Sequence, residues 1–141
     1  FDGSKISNVV FLADSQANAA AFSGAWYDKS LNGEGYNVVS GKNGTVIFFY
    51  GSDSNGNLTW LLSEVVSSEI SDGTLLQGNM YEANGGDFFH PAPSATSLTK
   101  WGTFEARFYD CNSGQFNLSG KDGDKVSNIV KLAGVKGAAC P

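Results

Sequence analysis

The sequence predicts an all-β domain: an antiparallel meander of about eight strands, closed into a barrel or folded as a two-sheet sandwich, preceded by an N-terminal arm strand. Three observations predict it. Charged residues make up only 16% of the 141-residue chain and aromatics 13%, a composition rich in strand formers and poor in the long charged side chains that line surface helices. Glycine occurs 18 times against 3 prolines, so turns fall to Gly, Asn and Asp. Short alternating or apolar runs then follow one another, separated by those turn residues.

Taken in order, Ser4–Leu12 alternates and is β-branched, which makes it the arm strand. Asp14–Ala21 is a small-residue linker or a single helical turn capped by Asp14. The division expected is therefore an arm and linker over 1–21 and a β domain over 22–141. Phe22–Tyr27 opens that domain, and Leu31–Gly35 turns into Tyr36–Ser40. Gly41–Gly44 is a tight hairpin signal leading to the apolar strand Thr45–Tyr50. Gly51–Asn57 turns into Leu58–Val66, and Ser71–Gly73 into Thr74–Tyr81. Glu82–Lys100 carries two of the three prolines, the only histidine and no period, as expected of a long functional or interaction loop. Trp101–Asp110 alternates strongly. Gln115–Ser119, a turn at Lys121–Asp124 and Lys125–Leu132 complete the meander.

The chain also repeats itself. Asp2–Ala13 reads DGSKISNVVFLA and Asp122–Ala133 reads DGDKVSNIVKLA, with 8 of 12 positions identical at an offset of 120. The arm is thus a second copy of the last strand, either the tail of a preceding tandem copy or a spare strand for a neighbouring one. Ile6, Val10 and Leu12 fall on one face and Val9 and Phe11 on the other, so a docked arm is expected to be buried on both sides. A lone strand cannot hold itself and must pair, within its own subunit or on another copy. Two differences mark the arm as more than a duplicate. Phe11 stands where the last strand has Lys131, and Ala20 stands at the position equivalent to Cys140.

Cys111 and Cys140 are the two cysteines. In a low-charge, Asn- and Ser-rich β chain they predict a disulfide and an oxidising compartment, and closing a loop of about 30 residues contributes about 3 kcal/mol. The net charge of −5, with no cluster of Lys or Arg, lacks the electrostatic footprint of a nucleic-acid binder. No apolar run reaches the ~18 residues of a membrane span. No leader segment is visible, so a secreted protein would be read here in mature form.

From Phe22 to Cys140 the chain resembles a repeat module of bacterial secreted and surface proteins. The residues that carry the likeness are Gly24-Ala25-Trp26-Tyr27-Asp28, Asn32-Gly33-Glu34-Gly35-Tyr36, the aromatic strand Ile47–Tyr50, the Gly51–Asn57 turn, Trp60, Gly102-Thr103, Cys111-Asn112-Ser113-Gly114 and the final Cys140. Ser30 departs from that module's pattern, which has Pro there. The resemblance implies a secreted, disulfide-bonded β module and assigns no chemistry. A weaker likeness, through G-x-W at Gly24–Trp26, is to lipocalin- and avidin-type barrels, in which the Trp closes one barrel end.

Candidate sites follow from residue type. Trp26, Tyr27, Tyr36, Trp60, Tyr81 and Trp101 are rings able to stack on sugars; of these Trp26, Tyr36 and Trp101, together with Glu34 and with Phe88 and His90 of the irregular loop, are the six candidate ligand contacts. A glycosidase needs two carboxylates flanking one bond, and among the possible partners of Glu34 (Asp28, Glu64, Glu105) the spacing selects none. His90, with Asp87 three residues before it, has no serine elbow to act on. No cofactor is expected; Asp53, Asn55 and Asn57 alternate like part of a calcium loop but lack its late glutamate, and the same residues make ordinary turns. The function expected is that of a non-enzymatic extracellular module, assembling head to tail into a fibre or surface array with other copies of itself through Ile6, Val9, Val10, Phe11 and Leu12. A carbohydrate-binding or adhesion module is the alternative; a lipocalin-like carrier or a hydrolase comes next.

Overall fold

The computed structural model describes residues 5–7, 19–67, 69–91, 97–138 and 140. Among these, eight strands form one closed antiparallel barrel in sequence order: β1 (Gly24–Asp28), β2 (Gly35–Gly41), β3 (Gly44–Ser52), β4 (Leu58–Ser63), β5 (Leu75–Ala83), β6 (Leu98–Asp110), β7 (Ser113–Gly120) and β8 (Gly123–Gly134). β1 pairs with β8, from Gly24 opposite Gly134 to Asp28 opposite Ile129, so the barrel wins over the sandwich. Closure pairs every strand on two sides and removes the free edge on which strand addition depends.

The strand boundaries follow the alternation closely. β3 and β7 bury every second residue, and β6 does so from Phe104 to Phe108. Two-residue turns join β2 to β3 and β7 to β8, with Gly41 opposite Gly44 and Gly120 opposite Gly123; Gly44 (φ 121°) and Gly123 (φ 113°) adopt backbone angles that side chains resist. The long strand expected over Leu58–Val66 ends instead at Ser63. The Ser63 hydroxyl takes the backbone N–H of Ile47 at 2.8 Å, and pairing with β3 resumes only at Val66, opposite Thr45. The chain then drops Ile70 into the core.

The odd-numbered turns lie at one end of the barrel and the even-numbered connections at the other. The second end is plugged. A 3-10 helix, Ala19–Phe22, lies across it with all four residues buried, held by the Trp26 indole N–H donating to Phe22 O (3.0 Å) and by Lys131 Nζ donating to Ala21 O. The Cys111–Cys140 disulfide is formed at this end, with Cα atoms 5.7 Å apart. Between the ends runs a column of rings: Phe22 and Trp26 edge-on to Phe108, Phe108 edge-on to Phe116, and Phe116 stacked on Tyr36 at 4.2 Å. Offset and edge-on contacts of this kind favour the ring quadrupoles. Of the arm, only Lys5–Ser7 is described; Val9, Val10, Phe11 and Leu12 lie outside the described residues. Among those residues, no helix is long and apolar enough to cross a membrane.

Candidate functional site

β8 is the element whose sequence residues 2–13 repeat. Its side chains alternate inward and outward. Ser127 and Ile129 are buried, Val126 and Leu132 exposed. The identities shared with the arm coincide with the polar contacts of this hairpin. Asp122 accepts from the Trp101 indole N–H at 2.7 Å and from the backbone N–H and hydroxyl of Ser54 at 3.1 and 2.7 Å. These donors hold its pKa down at about 2. Lys125 Nζ lies 2.9 Å from both oxygens of Glu34. The Ser127 hydroxyl meets Tyr36 Oη at 3.0 Å inside the barrel, where burial raises the phenol's pKa. Asn128 accepts from Gln115 and gives its backbone N–H to Asp28. The arm keeps all four residue types, as Asp2, Lys5, Ser7 and Asn8.

The one inward position that changes chemistry is Lys131, Phe11 in the arm. The Lys131 ammonium sits 5.0 Å over the Trp26 ring, and burial lowers its pKa. A phenylalanine there would meet Trp26 with no charge to desolvate.

The described part of the arm touches its own chain. Lys5 Nζ donates to Phe88 O at 2.8 Å and lies 5.1 Å over the Phe88 ring. Ile6 is 93% exposed, so the burial expected of it is absent in this state.

The six candidate ligand contacts do not converge. Trp26 and Tyr36 are core residues, which corrects their assignment as contacts: closure turns their faces inward, Trp26 to the plugged end and Tyr36 to the ring column. Trp26 packs at the plugged end, its indole N–H donating to Phe22 O. Glu34 is neutralised by Lys125. Phe88 and Phe89 form an exposed edge-on pair. The His90 ring pairs with Asp87 at 3.0 Å in water, while the backbone N–H groups of His90 and Phe89 hold that carboxylate's pKa low. Trp101 is 7% exposed and walls a cavity at the unplugged mouth.

The carboxylates named beside Glu34 are likewise engaged separately. Asp28 accepts from the Ser30 hydroxyl and backbone, which lower its pKa. Glu64 takes the Asn79 N–H, and Glu105 stands on the outer wall. In the β3–β4 turn, Asp53 Oδ1 accepts the N–H groups of Asn55 and Asn57, both at 2.9 Å. That is an Asx turn closing on itself. Among the described residues no three His, Cys, Asp or Glu groups are placed to hold a metal.

Sequence reasoning named Trp60 among the sugar-stacking rings but not the outer-wall pair it forms. Tyr50 and Trp60 are direct cross-strand partners and are 44% and 42% exposed. Phe48 lies parallel to Tyr50. Alternation reveals which residues share a face, but not which face closure leaves in water. Comparisons of the chain with protein-family models, with curated proteins and with solved structures yield no match.

Proposed function

We propose that this protein is a non-enzymatic, secreted structural module that assembles with copies of itself through its N-terminal strand. Asp2–Ala13 of one copy takes the place of β8 in another. The observation that carries the reading is the coincidence of the repeat with the contacts: Asp122, Lys125, Ser127 and Asn128 bind the rest of the barrel by side chain, and the arm retains each of them. An arbitrary apolar strand would match the alternation alone. Because the barrel is closed, the arm has no edge to add to, and docking means exchange with β8.

Two terms oppose each other in that exchange. Phe11 relieves the desolvation that Lys131 suffers over Trp26. Against it, β8 is tethered to its own barrel and is followed by Cys140, whose disulfide spans 29 residues and is worth roughly 3–4 kcal/mol. An isolated, oxidised chain therefore keeps β8 in place and rests Lys5 on Phe88. Assembly belongs to chains whose arm reaches a neighbour before that disulfide closes. The disulfide itself fits an oxidising, extracellular setting.

The test exploits register. Val126 lies opposite Asn117 across β7 and β8, and Ile6 is its equivalent in the arm. An Ile6→Cys, Asn117→Cys chain, refolded at high concentration and oxidised, is expected to give a covalent oligomer joined through these two positions. Mass spectrometry of the linked peptides reads the outcome. Exclusively monomeric product, with positions 6 and 117 unlinked, would falsify the exchange.

A further inference from the structure

With β8 in place, the unplugged mouth of the barrel holds a cavity of about 220 Å³, lined in part by Asp122, Gly123, Asp124 and Lys125 of the segment that the strand exchange would replace. Its floor is apolar, made by Phe49, Leu61 and Leu118, and the indole of Trp101 forms one wall. Gly120 makes that wall possible: a Cβ there would stand 2.7 Å from the indole Cε3. The rim comes from two turns far apart in sequence. Asp53 belongs to the β3–β4 turn, and Asp122 and Asp124 to the β7–β8 hairpin. The Ser54–Asp122 hydrogen bonds tie the two turns together across 68 residues of chain.

We infer that this cavity binds a single hydroxylated ring carrying an amine, of the hexosamine class. Size sets the first limit, because the volume lies below the 300–1,000 Å³ of sites for drug-sized ligands and suits one ring. Barrel mouths are also a favoured place for such sites. The floor and the indole offer an apolar surface to the C–H face of a sugar ring.

The rim then selects the substituents. Ionised carboxylates accept hydrogen bonds and cannot donate them. Asp53 Oδ1 and Asp122 Oδ1 are each taken by two donors and Asp122 Oδ2 by Trp101; Asp124, which receives the Ser119 hydroxyl on Oδ1 at 2.6 Å, keeps the most acceptor capacity. A ligand that donates from several positions is therefore required. The cation of the lining, Lys125, is held by Glu34, so the rim is net negative; it favours an ammonium group and repels uronates and phosphates. Among the described residues these carboxylates are not grouped as a metal site.

The experiment is a titration of the full chain, followed by amide and indole NMR shifts, with glucosamine, glucose and glucuronate in parallel. Glucosamine is expected to shift the Trp101 indole and the amides of Leu118, Asp122 and Asp124 saturably. Glucose should bind up to roughly fivefold more weakly, the worth of one exposed charge pair, and glucuronate should leave the spectrum unchanged. Thr59→Tyr, which fills the cavity, is expected to abolish the glucosamine shifts in a folded protein. Should that variant not fold, Asp124→Asn is expected to weaken glucosamine several-fold while leaving glucose unchanged. The inference fails if glucosamine causes no saturable shift at these residues, or if glucuronate binds as well as glucosamine.

Discussion

Asp122 shows how much one side chain carries here. It is the first residue of the repeated segment. Its carboxylate binds a tryptophan of β6 and a serine of the β3–β4 turn, joining three parts of the barrel mouth. Those donors favour the ionised form, so the folded pKa, about 2, lies below the carboxylate's ordinary value of 3.8. A group with a depressed folded pKa contributes stability that is present above its unfolded pKa and lost as pH falls through the folded one. The window is therefore roughly pH 4 down to pH 2. Asp122→Asn is expected to lower stability at neutral pH by about 1 kcal/mol, the low end for a charge-assisted bond because the carboxylate is partly in water. The difference from wild type should vanish as pH approaches 2. Urea unfolding at a series of pH values measures both; a gap that stays constant down to pH 2 would show that the carboxylate's charge is not what the mouth uses.

At the scale of elements, the proposed exchange sets β8 and the arm in competition for one slot, weighted by the disulfide. Cys140→Ser is expected to increase the assembled fraction by more than tenfold at equal concentration, since removing a link worth roughly 3–4 kcal/mol leaves β8 held by the contacts that the arm can largely reproduce. Lys131→Phe, which gives β8 the arm's ring, should reverse that gain. Sedimentation of the three chains after identical refolding decides it; equal assembly in all three would remove the competition from the account. The strand order, most boundaries and the disulfide were legible in the sequence, because alternation, Gly-centred turns and a lone cysteine pair are local signals. Parity along a strand, however, does not say which side becomes the interior. Trp26 and Tyr36 went inward, while Tyr50 and Trp60, on strands of equal quality, stayed partly in water. The mouth cavity was illegible for a related reason, as Asp53 and Asp122 come together only once eight strands have closed. The early end of β4 rests on a Ser63 hydroxyl substituting for a backbone partner, which no pattern of hydrophobicity encodes.

At the scale of the whole molecule, the proposed exchange could build an open chain or a closed pair, and the position of the slot supports the pair. β8 ends at the plugged end, with Ala133 and Gly134 opposite Ala25 and Gly24. The 3-10 helix that follows the arm packs at the same end, its Ala21 carbonyl receiving Lys131 and the adjoining Ser23 bonded to Ser40 at the end of β2. A donated arm therefore finishes at the plugged end of the recipient, and its linker must return to the plugged end of the donor. Residues 14–18 are all that lies between Ala13 and Ala19, a reach of about 20 Å at the ~3.3–3.6 Å per residue of extended chain. Two barrels meeting plugged end to plugged end satisfy both linkers through one self-complementary contact. An open chain would instead require every plugged end to lie within that reach of two others at once, which barrels of this girth resist by steric exclusion. The expected assembly of the unmodified sequence is thus a closed dimer. Deleting residues 1–13 should leave a monomer, and inserting a flexible Gly/Ser segment of about ten residues after Asp14 should allow longer oligomers by relaxing the reach. Light scattering on the three chains distinguishes these outcomes. A ladder of higher oligomers from the unmodified chain would mean that the linker does not set the closure, and that the head-to-tail fibre is the better description of how copies join.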